Sequence, residues 1–466
     1  MIEGLLGGLF NGLSIGSVLL IVALGLAIVF GLMGVINLAH GELMMLGAYT
    51  TYVVQNGAAA IGSGALEIYF LVALPIAFLV AAAVGLLLER GVIRHLYGRP
   101  LETLLATWGV SLILRQFIRS VSWSLVIGLV IFCVLFFGGR WILQRQANWE
   151  RLSRIANPVV LMLSGAIAII TGILINQSGN TTLSRAWFGA RNVDVTAPSW
   201  LRGGVSVSGE VASQLYWAIT VGVFLFALLW IVGYFAFIRS ERQITERLDN
   251  DRVVLIASAL LASILTLFTF FLNQPARPDW FSSGVPLQFP YARLFIIGLT
   301  IVCLIGIYWF LNGTAWGLRI RSVTQNRKMS ACLGIPTEKV DALSFALGSG
   351  LAGIAGCAVT LLGSVGPNLG GNYIVDAFMV VVVGGVGKLA GSIVAALVIG
   401  IVTYLIGSGT IALLFTPFPA LQPVTDFFTF FATTSMAKVM VFALIIAFLQ
   451  WKPAGMFPQK GRSVEV

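Results

Sequence analysis

Long apolar runs separated by short polar stretches dominate the chain. Thirteen of them approach the length needed to cross a bilayer, at 9–32, 35–54, 68–88, 101–118, 121–139, 158–176, 215–238, 253–273, 292–311, 343–364, 373–387, 391–408 and 437–451. A spanning helix needs about 20 mostly apolar residues. Lipid offers the backbone no hydrogen-bond partner, so runs of this length must be helices. A transmembrane barrel would instead show short alternating segments. The predicted fold class is therefore all-α, a polytopic transmembrane helical bundle spanning 1–466. The runs at 35–54, 101–118 and 373–387 are short or glycine-interrupted, which makes them candidates for broken or re-entrant helices.

Charge sharpens this picture. Only 10% of the 466 residues are charged and 58% are hydrophobic, against about 25% charged in soluble domains. The net charge of +10 does not point to nucleic acid, because the basic residues gather between apolar runs. That is the distribution expected of cytoplasmic loops. Such loops are read at 89–99, 140–154, 239–252 and 317–339 and in the tail. The stretches 55–67 and 365–372 hold no Lys or Arg, and 274–290 holds only Arg277. Strict alternation through thirteen segments puts every basic loop on one side. It predicts an outside N-terminus and a cytoplasmic C-terminus, with Arg119 as the exception and the long 177–213 loop carrying little weight. The four cysteines make no CxxC pair, so neither a zinc site nor a disulfide framework is indicated.

Polar groups at membrane depth are costly and therefore candidates for function. The sharpest cluster is Asn37-Leu38-Ala39-His40-Gly41-Glu42. Asn37 and Glu42 are open to two readings: they line a polar path, or Asn37 caps the following helix with Glu42 in its first turn. Asp376, at the start of another apolar run, has the same two readings. Trp108 is either an aromatic wall of a path or a packed residue. Arg115 lies deep in a short run, placed to snorkel or to pair. With only His40 and His95 in the chain, and no HExxH or GxxxxGK[ST], no catalytic, metal or nucleotide site is expected. No cofactor is expected, and any ATPase would be a separate chain.

Residues 313–341, GTAWGLRIRSVTQNRKMSACLGIPTEKVD, form the longest basic loop. A short amphipathic helix is expected there, with Val323, Met329, Ala331 and Leu333 apolar and Asn326, Arg327 and Lys328 polar. Gly334 can end it in a left-handed cap and Pro336 blocks its continuation. A soluble partner can receive such a helix in a groove; the alternative is a surface helix without a partner.

The N-terminal FNGLSIGSVLLIVALGLAIVFGLMGVINLAHGELMMLGAYT resembles the permeases of branched-chain amino acid-type ABC importers. So do LLATWGVSLILRQ (104–116), WFGARNVDVTAPSW (187–200), GLRIRSVTQNRKMSACLGIP (317–336), the glycine-rich run 350–391 and QWKPAGMFPQKGR (450–462). Within that class, QNRKMSACLGIP and GSVGPNLG are similar to the first permease subunit of the urea importers. The resemblance covers roughly 1–119, 186–210 and 286–466. It leaves 120–185 and 211–285 as two inserted two-helix segments, each preserving the orientation of its flanks.

The resemblance implies an importer of several chains in a bacterial inner membrane. An extracytoplasmic binding protein delivers substrate, a second homologous permease pairs with this one, and two cytoplasmic ATPases dock below. The implied docking residues are Arg327, Lys328, Ala331, Leu333, Gly334, Ile335 and Pro336. The implied path runs near Asn37, His40, Glu42, Trp108 and Asp376. Urea is the expected substrate. Branched-chain amino acids or short amides are the alternative, and an ATP-independent channel a further one.

Overall fold

The computed structural model describes residues 2–144, 149–177, 185–189, 191–207, 287–416, 421–453 and 455–457. The predicted runs at 215–238 and 253–273, and with them the 211–285 segment, lie outside these residues. Each of the other eleven runs coincides with a helix: α1 (Ile2–Met33), α2 (His40–Ile61), α3 (Ser63–Gly91), α4 (Pro100–Ser120), α5 (Trp123–Gln144), α6 (Trp149–Gln177), α7 (Tyr291–Gly313), α10 (Thr337–Val359), α11 (Leu369–Gly384), α12 (Leu389–Gly407) and α15 (Thr434–Trp451). Between them lie the short helices α8 (Ala315–Gln325), α9 (Arg327–Cys332), α13 (Thr410–Phe415) and α14 (Gln422–Phe430), and a two-stranded ribbon of β1 (Gly204–Val207) and β2 (Leu287–Pro290). Among the described residues, nine helices are long and apolar enough to cross a membrane. The fold is an all-α polytopic bundle.

Two of the three suspected broken helices are continuous. α2 runs unbroken for 22 residues and α4 for 21. α11 has only 16 residues, about 24 Å at 1.5 Å per residue, which is short of the roughly 30 Å hydrocarbon core. It stops where Gly385 and Gly387 turn the chain with positive φ.

Two compact units divide the chain. The first comprises Met1–Ser17, Ser199–Ile301 and Val394–Pro453, and the second Val18–Pro198, Val302–Ile393 and Ala454–Val466. In the first, the start of α1 lies against α12 through small residues: a Cβ on Gly12 would stand 2.6 Å from Ile401 Cα. Asn11 Nδ2 donates to Tyr404 Oη at 2.9 Å across the same pair. Such close backbone approach replaces the hydrophobic drive that helices lack in lipid.

The second unit is built around α10, which packs on both α3 and α2, with α11 against α2. Gly348, Gly353 and Gly356 of α10 press on the backbones of α1, α3 and α2 respectively. A Cβ at Gly356 would fall on the Met44 carbonyl oxygen. Backbone cannot swing aside, so Gly356→Ala is expected to cost at least the roughly 1–3 kcal/mol of an overpacked core. Thermal unfolding in detergent should show a lowered midpoint. Gly57→Ala, which meets nothing within 4 Å, should match the wild type.

Helices α5 and α6 pair mainly with each other. Gly128 lies opposite Ala168 and Gly139 opposite Val160, so the pair is antiparallel. The two ends of this excursion adjoin: the Trp187 backbone N–H donates to the Val121 carbonyl at 2.9 Å.

Candidate functional site

The polar stretch before α2 forms a turn, not a cap. Asn37 Oδ1 accepts from the Ala39 N–H at 3.0 Å, and α2 starts at His40 with no side-chain cap. The cap reading of Asn37 is thereby corrected: its carboxamide closes a turn two residues ahead, as Asn side chains do. This turn sits against α4. The Leu38 N–H donates to Thr107 Oγ1 at 3.2 Å.

α4 brings a polar stripe to this place. Thr103, Thr107, Ser111 and Arg115 recur every four residues and so share one helix face; the first three are buried. Arg115 Nη2 donates to Glu42 Oε1 at 2.6 Å, and Ser111 Oγ donates to the same oxygen at 3.0 Å. Glu42 is 1% exposed and Arg115 26%. The sequence offered both residues but not their pairing, since 73 positions separate them. The i, i+4 polar stripe was the signal that could have located Ser111 and Thr107.

A third element closes over the pair. Gly41 of α2 and Gly370 of α11 approach so closely that a Cβ on either would meet the other's backbone. A Cβ on Gly370 would also stand 2.6 Å from Glu42 Oε2. The pair is electrically neutral, yet Glu42 Oε2, Asn37 Nδ2 and Arg115 Nε are buried without a hydrogen-bond partner among the described residues.

The remaining candidates take different positions. His40 is fully buried beneath α1, where Nε2 donates to the Val22 carbonyl at 3.1 Å and the ring covers Gly25. Trp108 is 52% exposed, on the outer face of α4 with Leu101 and Leu105. Asp376 is buried inside α11, seven residues past the helix start at Leu369. Its reading as a helix cap is corrected, because Asn372 and two glycines that look like a loop are already helical.

The 313–341 loop is two helices, not one. Asn326 breaks the chain between α8 and α9, and its Oδ1 accepts from the Met329 N–H at 3.0 Å as the N-cap of α9. Val323 belongs to α8 and is buried with Ile320 and Val340. α9 stops as the sequence suggests: Gly334 takes φ +81°, the Ile335 N–H donates to the Ser330 carbonyl at 3.1 Å, and Pro336 leads into α10. This is a left-handed helix stop of the Schellman kind.

Exposure divides the docking candidates. Lys328, Ala331, Leu333, Gly334 and Pro336 are exposed and Ile335 is half-buried. Leu333 is 78% exposed and Met329 58%, an apolar knob that no other described residue covers. Arg327, also exposed, in addition ties α9 to its own unit. It pairs with Asp341, which is 3% exposed, and its guanidinium stacks 4.8 Å over the Tyr97 ring. Tyr97 Oη donates to Glu89 at 3.2 Å, and Arg94 bridges Glu89 and Glu338. Burial, reinforced by the Asp341 and Glu89 carboxylates, pushes the Tyr97 phenol far above its ordinary pKa, so it stays a neutral donor. α9 is thereby fastened to the start of α10 and the end of α3.

No group of three or more His, Cys, Asp or Glu side chains able to hold a metal occurs among the described residues.

Comparison with known proteins agrees with this architecture. A 21% identical relative, the high-affinity branched-chain amino acid transport system permease protein LivH of Escherichia coli, aligns over 84% of this chain and 83% of its own length. The permease BraD of Pseudomonas aeruginosa is 34% identical over 23% of this chain, and the fructose import permease FruF of Bifidobacterium longum 28% over 61%. The chain spans only 36% of the length of BraD and 79% of FruF. No solved structure matches the chain. The family model for the branched-chain amino acid transport system / permease component matches residues 8–449. The chain therefore belongs to that family of multi-pass membrane permeases.

Proposed function

We propose that this chain is the membrane-spanning permease subunit of an ATP-driven importer for urea. The observation that carries the reading is α9: a short helix, rigidly stopped, pinned by Arg327 and presenting Leu333 and Met329 to something outside the chain. A cytoplasmic ATPase pair is the receiver this arrangement suits, and Arg327 then acts inward, transmitting the ATPase movement to α10. The basic-loop distribution supports a cytoplasmic α9 and C-terminus with the N-terminus outside. A binding protein outside and a second, homologous permease complete the assembly. The adjoining ends at Val121 and Trp187 support reading 120–185 as an inserted hairpin.

Urea is favoured by the QNRKMSACLGIP and GSVGPNLG stretches and by the neutral balance at Glu42 and Arg115. A small uncharged solute needs hydrogen-bond groups and no net charge to oppose. A second reading, branched-chain amino acids, is favoured by the printed names of BraD and LivH. Uptake of labelled urea and labelled leucine in a deletion strain separates them. Loss of urea uptake with leucine uptake intact is expected; the reverse would move the assignment to the amino acid.

A further inference from the structure

The second unit holds a cavity of about 1110 Å3 that the transport reading leaves unused. Its inner wall is hydrocarbon, from Leu24 and Ile28 of α1 and Leu304, Ile307 and Leu311 of α7. Its lining also carries the exposed polar side chains Arg321 and Gln325 of α8 and Lys388 just before α12. No Asp or Glu is among its described lining residues. Arg321 Nη1 donates to Asn312 Oδ1 at 3.1 Å, which fixes one edge of the guanidinium at the rim. The neighbouring outer face of α7, with Val302, Ile305 and Trp309, is exposed as a lipid-facing helix would be.

We propose that this cavity binds an anionic phospholipid, with its phosphodiester at Arg321 and Lys388 and its acyl chains along the wall of α1 and α7. The space exceeds the roughly 300–1,000 Å3 of ordinary small-molecule sites, and an apolar wall offers a small polar solute nothing. Two cations with no Asp or Glu among the described lining residues match a phosphate and leave a zwitterionic headgroup's ammonium unpaired. Basic pockets between spanning helices at the cytoplasmic face are suited to anionic headgroups. Inorganic phosphate would satisfy the cations but leave the apolar wall without a partner. The inference shares with the transport reading only the cytoplasmic placement of α8, and lipid binding by the isolated subunit does not depend on which solute is carried.

Native mass spectrometry of the detergent-purified full chain tests it, with dioleoylphosphatidylglycerol, dioleoylphosphatidylcholine and inorganic phosphate titrated separately. One saturable site is expected for phosphatidylglycerol, about ten-fold tighter than for phosphatidylcholine, a preference equivalent to about one charge-assisted contact. Arg321→Gln with Lys388→Gln should bring the two lipids to equal affinity. Ala390→Trp, at the exposed rim of the cavity, should lower binding of both lipids, and both variants should keep the wild-type thermal midpoint without added lipid. Equal affinity for the two lipids in the wild type would overturn the proposal. So would an unchanged preference in the double variant, or phosphate binding as tight as phosphatidylglycerol. Quantitative cross-linking of Tyr308→Cys to the partner permease, with no lipid retained in the assembled complex, would assign the cavity to that subunit instead.

Discussion

Arg115→Ala is expected to destabilise the chain by about 3–5 kcal/mol, the cost of leaving one member of a buried ion pair alone. Glu42 is 1% exposed and takes its two donors from Arg115 and Ser111. Without the guanidinium its carboxylate is left buried against Gly370 with Ser111 as its one remaining donor among the described residues. Thermal unfolding in detergent measures the loss. Glu42→Gln combined with Arg115→Gln should lose less than Arg115→Ala alone, because no bare charge remains. Measured beside the single variants Glu42→Gln and Arg115→Gln, the double variant closes the cycle that separates the pair from simple packing. A wild-type midpoint for Arg115→Ala would mean that the pair contributes nothing to the fold.

The second large effect concerns α9. Leu333→Asp is expected to weaken ATPase association by at least about 2 kcal/mol, the scale of an interface hot spot, or roughly 30-fold. The thermal midpoint of the chain should not move, because Leu333 is 78% exposed. Arg327→Glu should behave differently. It faces Asp341 and Tyr97 and reverses an internal ion pair, so stability and association should fall together. Co-purification with the ATPases, beside thermal unfolding of each variant, reads both quantities. If Leu333→Asp retains full association, α9 is not the docking helix.

The helices were legible because lipid demands long unbroken apolar runs, and eleven of the predicted runs meet a helix. Their edges were less legible. α11 begins at Leu369 rather than 373, since Gly370, Gly371 and Asn372 look like loop residues. The close approach of Gly370 to Gly41 requires those glycines within a helix, so packing overrides their poor propensity. The stop of α9 was readable from Gly334 and Pro336, because left-handed geometry and a missing N–H are properties of single residues. Its start was not, because Asn326 has no distinctive neighbour until its side chain is seen to cap Met329.

Pairings were the least legible. Glu42 and Arg115 were each conspicuous as charges in apolar runs, yet nothing local joins them. Arg327 and Asp341 lie within one loop, but only the turn at Gly334–Pro336 brings them together. That turn adds to what Arg327 does: a cation still 43% exposed is also paired with buried Asp341.

Proteoliposomes containing this chain with the proposed second permease and ATPases measure the central proposal directly. With the binding protein outside and ATP inside, labelled urea should accumulate against its gradient, and Leu333→Asp should abolish that accumulation. Liposomes holding this chain alone should take up no more urea than empty ones. Equal uptake by the chain alone, without ATP, would contradict an ATP-driven importer and make the protein a channel.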